Sequence, residues 1–312
     1  MGYPSIPDYP TLINQITEYS HLKHEYGAIE VDKLLHEGGE SLESILSRLK
    51  DLSIDKALES IEPDLLTEIR GLRPDGPRRI WESVNKQEYQ DKLEGALLGR
   101  FAGCTLGAMV EFWSLKDMED WSKYIGDRFP PVDYWSRAKD PPALRYEKSA
   151  FHSYTREWMN GVPVDDDIAY TLLGLLIAEE YGVKFTTEDV GKAWLKYLPF
   201  ACTAEDIALK NLKAGIPVLE AGDKDNPYCQ WIGADIRSDP WAYMAPGFPE
   251  KAAEMAYKDA YISHRRNGIY GAMFFSASES AAFTVGNPID AIKICLTEIP
   301  KSCRLAEAVD WA

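Results

Sequence analysis

Gly161-Val162-Pro163-Val164-Asp165-Asp166-Asp167-Ile168-Ala169-Tyr170-Thr171-Leu172-Leu173-Gly174-Leu175-Leu176 is the stretch on which the reading of this chain turns. Gly161 and Pro163 interrupt whatever precedes, and Ile168, Leu172, Leu175 and Leu176 then recur at the helical period. The segment predicts an apolar-striped helix with three carboxylates at its N-terminal end. Adjacent like charges repel, and a helix N-terminus offsets only about 0.3–1 kcal/mol per exposed acid. A divalent cation offsets far more, and carboxylate oxygens with waters are what magnesium, manganese or calcium prefer. The competing reading is a solvated helix start with acidic first-turn residues. The triplet alone does not choose between them.

Downstream, amphipathic stretches follow at about 187–198, 203–213, 250–263, 269–283 and 288–297, and alternating β-branched runs are nearly absent. No sheet, internal repeat or low-complexity segment is expected, so the fold class is all-α. Upstream, Leu93, Leu97, Leu98 and Phe101 line one face of a helix beginning near Gln87, and Gly95, Ala96, Gly99, Ala102 and Gly103 allow close approach, which predicts a buried segment. Between Trp113 and Asn160 the periodicity weakens and Pro130-Pro131 and Pro141-Pro142 appear, reading as a long irregular excursion of the kind that forms pocket walls. Residues 1 to about 85 form a helical region of their own, with Leu34, Leu35, Leu42, Ile45, Leu46 and Leu49 near the helical period. The turn Leu72-Arg73-Pro74-Asp75-Gly76-Pro77 breaks any helix there. The expected division is a helical extension over 1–85 and a main domain over 86–312.

With 312 residues, 45% hydrophobic and 27% charged, the chain can bury a sizeable core. Its formal charge of −16 repels phosphates and anionic lipid, which argues against nucleic-acid partners. The opening Met1-Gly2-Tyr3-Pro4 lacks a basic and an apolar leader region, and no run of about 18 apolar residues occurs. Five scattered cysteines, none spaced as CxxC, give neither a disulfide framework nor a zinc site. The expectation is a cytoplasmic protein without a membrane partner.

Context for the triplet comes from Glu94-Gly-Ala-Leu-Leu-Gly-Arg-Phe-Ala-Gly-Cys-Thr-Leu-Gly-Ala-Met-Val-Glu111, a small-residue helix that delivers one acid. This segment resembles the first block of the ADP-ribosylglycohydrolase family, with Glu111 on the block's closing glutamate and Cys104 where many members carry aspartate. The triplet resembles the second block, an acid pair within T-D-D-T. The best register sets Asp166-Asp167 on that pair, with Asp165 in place of the threonine; a slip of one residue makes Asp165-Asp166 the pair. Gly233-Ala-Asp-Ile-Arg237-Ser-Asp239-Pro-Trp241, Pro249-Glu-Lys-Ala-Ala253 and Ser263-His264 resemble the mid-chain run, and Ile69 to Arg79 resembles the N-terminal extension of a bacterial subgroup.

The resemblance implies a compact orthogonal helical bundle that hydrolyses the glycosidic bond linking ADP-ribose to a protein side chain or small molecule. It implies two divalent ions, Mg²⁺ or Mn²⁺, in the complete family site. On that reading Asp165, Asp166 and Asp167 are metal ligands, Glu111 and Asp166 are catalytic, and Arg237, Asp239 and His264 contact substrate; the extension is free to meet a further partner. One departure stands out: the family's last block, an Asp-x-Asp near the C-terminus, is absent from these 312 residues. A truncated chain, a rearranged one-metal site and a catalytically inactive ADP-ribose or nucleotide-binding module are the alternatives, and truncation is favoured.

Overall fold

The computed structural model describes residues 8–36 and 42–312; the opening Met1-Gly2-Tyr3-Pro4 lies outside them. Helices from Tyr9–Glu25 to Arg304–Trp311 dominate, and among the described residues the only strand pairing is one two-stranded antiparallel hairpin. The fold class is all-α, as the sequence predicts. The chain divides into two compact units, Met1–Glu82 with Leu175–Ala312, and Ser83–Gly174; the division falls inside the Asp166–Tyr181 helix. No helix among the described residues is long and apolar enough to cross a membrane.

The first unit is organised around the Asn267–Ala282 helix, in which eleven residues from Gly268 to Ala281 are buried. A helix apolar on every side belongs in a core, and it packs against the Pro249–Ala260, Asp239–Tyr243, Pro288–Cys295 and Arg304–Trp311 helices. Gly271 makes one contact possible: a Cβ there would stand 2.3 Å from an oxygen of Asp235. Toward the N-terminus, the Tyr9–Glu25 helix is capped by Asp8 and buries Ile16, Tyr19 and Leu22 in a cluster with Tyr26, Leu34, Ile45, Leu49 and Cys229.

The N-terminal residues are fastened to this core by polar bonds. The Tyr26 hydroxyl lies 3.3 Å from the Cys229 sulfur, Arg304 donates to the fully buried Glu62 at 2.9 Å, and the Arg266 amide donates to Asp64 at 2.8 Å. The proline- and glycine-rich turn after Leu72 is likewise held. Arg73 bridges Glu250 and Glu298 at 2.5 Å each, and Arg78 adds a second pair to Glu298 at 2.9 Å.

The second unit begins with the Lys86–Ala108 helix, capped by Asn85, whose side chain accepts from the amides of Gln87 and Glu88. Only Thr105 and Ala108 of that helix are buried, against the expectation of a buried segment. Its glycines recur every fourth residue, and at Gly95, Gly99, Gly103 and Gly107 no atom of the described residues lies within 4 Å of where a Cβ would be. Within its own unit that face is therefore an open trough. The stretch expected to be irregular contains the Leu115–Ile125 helix, which a Ser114–Asp117 capping box starts and left-handed Gly126 ends. Trp135, Tyr154, Met109 and Val110 form the core beneath it.

Candidate active site

Two short pieces of the second unit bring the acids together. The first is the end of the trough helix, which carries the chain through Val110 to Glu111. The second is the start of the Asp166–Tyr181 helix, where Asp166 and Asp167 occupy the first turn and the Asp165 carboxylate accepts from the Asp167 amide at 3.1 Å. Val164, just before the triplet, is held by its carbonyl, which accepts from the Tyr154 hydroxyl at 2.6 Å and the Ser149 hydroxyl at 3.3 Å. The triplet is thereby fixed to the hairpin of Leu144–Arg145 and Ser149–Ala150, in which Leu144 pairs with Ala150 and Arg145 with Ser149.

That hairpin supplies a residue that sequence reasoning missed. Arg145, 7% exposed, donates to Asp165 at 2.6 Å and to Glu111 at 2.6 Å, and lies 3.9 Å from Asp166. Tyr146 lies under the guanidinium, 4.5 Å from its ring centre, and its hydroxyl donates to both Glu111 oxygens at 3.0 Å. Arg100, on the trough helix, donates to the Asp167 carbonyl at 2.7 Å and lies 3.9 Å from its carboxylate. A cavity of about 500 Å³ opens beside this cluster, lined by Gly99, Gly103, Cys104, Gly107, Glu111, Arg145 and Asp167. Nothing in the spacing of Leu144-Arg145-Tyr146-Glu147-Lys148 distinguishes Arg145 from a surface basic residue; only the hairpin brings it to acids 20 and 34 positions away.

Burial dominates the electrostatics. It lifts Asp165 to about 7 despite the opposing pull of Arg145, and it raises Asp167 as well, with Arg100 opposing. Burial also pushes the Cys104 thiol up to about 12, so the thiol stays protonated beside Asp167. Arg145 is held above its ordinary value: burial opposes its charge, and Asp165 and Glu111 more than offset that.

Of the four carboxylates of Glu111, Asp165, Asp166 and Asp167, those of Glu111 and Asp167 line the cavity, and carboxylate oxygens are the donors that a hard divalent cation takes. Here one oxygen of Asp165 and one of Glu111 are given to a guanidinium, and among the described residues no three His, Cys, Asp or Glu side chains are arranged to hold an ion. Carboxylate oxygens are of the type a divalent cation takes, and in this geometry Asp165 and Glu111 are bonded to Arg145.

Arg237, Asp239 and His264 belong to the first unit. Arg237, 2% exposed, donates to Asp259 at 2.6 Å, to Glu205 at 2.7 Å and to the Ser263 hydroxyl at 2.8 Å, beneath the Trp194 ring at 5.0 Å. Asp239 is buried in the first turn of the Asp239–Tyr243 helix. His264 is fully buried with Nδ1 2.8 Å from the Ser263 hydroxyl. Burial, then the charges of Arg237 and Arg265, hold its pKa well below the usual histidine range.

An all-helical chain that sets an acid pair at a helix start against a glycine-lined cleft and a partnering glutamate has the parts of a glycosidic-bond hydrolase. The ADP-ribosylglycohydrolase family model matches residues 85–312, and the chain belongs to that family. No curated protein and no solved structure matches the chain.

Proposed function

We propose that the chain hydrolyses the bond between C1 of the ADP-ribose ribose and an acceptor, a protein side chain or a small molecule, at the cleft bounded by Glu111, Arg145 and Asp165–167. The observation that carries the reading is that Glu111 and Asp167 line one cavity, with Arg145 joining Glu111 to Asp165 at its wall, within the region matched by the family. In this proposal Asp165, Asp166 and Asp167 hold Mg²⁺ or Mn²⁺, which when bound orients ribose hydroxyls and polarises a water.

The protein's own groups supply the rest. Glu111, partly exposed at the cavity rim, takes a proton of the attacking water as C1–O forms and the C1–acceptor bond breaks, and that proton passes from Glu111 through solvent to the departing acceptor. The carboxylates favour the positive charge that develops on the sugar. Tyr146 keeps the Glu111 carboxylate oriented. Arg237, Asp239 and His264, all buried inside the first unit, enter the proposal as residues that maintain that unit's shape.

The test is direct. The purified chain with Mg²⁺ or Mn²⁺ should release ADP-ribose from an ADP-ribosylated protein or small molecule, and Asp166→Ala with Asp167→Ala should abolish the release. No release by the unmutated chain with either ion, together with no binding of ADP-ribose in calorimetry, would sink the proposal. Binding without release favours the inactive binding module.

A further inference from the structure

Arg145 sits where the cleft's acids converge, and its contacts are incomplete. Its two terminal nitrogens are engaged by Asp165 and Glu111, but Nε finds no hydrogen-bond partner among the described residues although the side chain is buried. A buried donor without an acceptor is destabilising. The guanidinium is thus held by charge more than by a full set of bonds.

The hairpin that delivers it is under backbone strain. The Lys148 amide donates to the Arg145 carbonyl at 3.0 Å, and the two residues between, Tyr146 and Glu147, both lie in the left-handed region with φ of 49° and 57°. Two successive residues at positive φ are a backbone that asparagine and glycine adopt readily. A bulky aromatic and a long acid are strained in those positions. What offsets the strain is at the tip itself: the Arg145 ion pairs and the Tyr146 hydroxyl on Glu111.

Asp165 and Glu111 each give an oxygen to the Arg145 guanidinium at 2.6 Å. An ion that uses the oxygens now given to Arg145 has to displace it.

We propose that Arg145 is a resident counter-cation of this cleft: its guanidinium and a divalent ion compete for Asp165 and Glu111, so the Leu144–Ala150 hairpin sets the affinity with which the cleft takes metal. The inference rests on the metal-binding part of the proposed function. It goes beyond that part by making a protein side chain, and not the carboxylates alone, the determinant of metal affinity. Removing the guanidinium leaves the acids available and mutually repelling, which raises affinity for a dication; removing a merely structural arginine leaves affinity unchanged or lowers it.

The experiment titrates Mn²⁺ into the EDTA-stripped full chain and its Arg145→Gln variant by calorimetry, with hydrogen exchange on the unmutated chain as a second measurement. The expected result is binding at least tenfold tighter in Arg145→Gln. In the unmutated chain Mn²⁺ should accelerate exchange of amides in residues 144–150 and protect those of 165–168. Equal or weaker binding in a folded variant overturns the counter-cation role and leaves the metal reading standing. A hairpin that Mn²⁺ protects or leaves unchanged overturns it even where the variant does not fold. Absence of Mn²⁺ binding in both proteins overturns the metal reading and the counter-cation role together.

Discussion

Replacing Arg237 with methionine tests how the first unit is held together. Methionine keeps most of the volume under Trp194 but removes the guanidinium that joins Glu205 at 2.7 Å and Asp259 at 2.6 Å, both side chains 4% exposed. Removing one partner of a buried ion pair leaves an uncompensated charge and costs about 3–5 kcal/mol. For a domain of about 150–250 residues that corresponds to a drop of about 6–20 °C in melting temperature, at 2–4 °C per kcal/mol. The loss should depend on pH with a definite sign. Burial already holds the Asp259 carboxyl above the ordinary range with Arg237 in place, and removing the cation raises it further. A carboxyl whose folded pKa lies above its unfolded value destabilises increasingly as pH rises between the two, so the variant's deficit should be larger at pH 8 than at pH 5. Urea unfolding followed by tryptophan fluorescence at both pH values measures it. A loss below about 1 kcal/mol that does not change with pH would refute the reasoning and free Arg237 for a role at the substrate.

Asp235→Asn should flatten part of the pH dependence of stability: burial lifts Asp235 to about 7, so its ionisation works against the fold as pH rises from about 4 to 7 and at a constant level above. The variant should gain up to about 4 kcal/mol at pH 8 and nothing at pH 4, read from melting temperatures across that range. Glu298→Gln should cost about 2–3 kcal/mol in chemical unfolding, because the fully buried carboxylate ties Arg73 and Arg78 to the core. Gly247→Ala should lower the melting temperature through a cost of about 1–3 kcal/mol: Gly247 has φ of 64°, and a Cβ would stand 2.8 Å from side-chain carbons of Trp81 and Thr284. A circular-dichroism melt superimposable on that of the unmutated chain would contradict this account of the Trp81 turn.

The helical class was legible because the apolar residues keep a helical period through the segments that became the Thr187–Tyr197, Thr203–Lys213, Pro249–Ala260 and Asn267–Ala282 helices. The acid triplet was legible as a helix start for the same reason. The Leu115–Ile125 helix was passed over even though its Ser114-x-x-Asp117 box and Gly126 are local signals, because neighbouring prolines and aromatics dominated that stretch. The exposure of the Lys86–Ala108 helix was not legible: glycine every fourth residue permits close packing and equally permits an open trough, and composition does not separate the two. Arg145 was hidden for a more general reason. Its partners lie 20 and 34 positions away, and a hairpin loop whose positive-φ residues are Tyr146 and Glu147 lacks the asparagine-glycine signature that announces a hairpin. The buried bonds of Arg237 and His264 are likewise products of tertiary packing, since motif position alone does not say whether an arginine faces a cleft or a core.

The measurement that bears most directly on the central claim is a crystal structure of the chain with Mn²⁺ and ADP-ribose, with the ion located by its anomalous scattering. The account predicts an anomalous peak within coordination distance of carboxylate oxygens of Asp165, Asp166 or Asp167, with the ribose C1 facing Glu111 and the Arg145 guanidinium moved off Asp165. An ion or ligand bound elsewhere, with Arg145 still bridging Asp165 and Glu111, would contradict it.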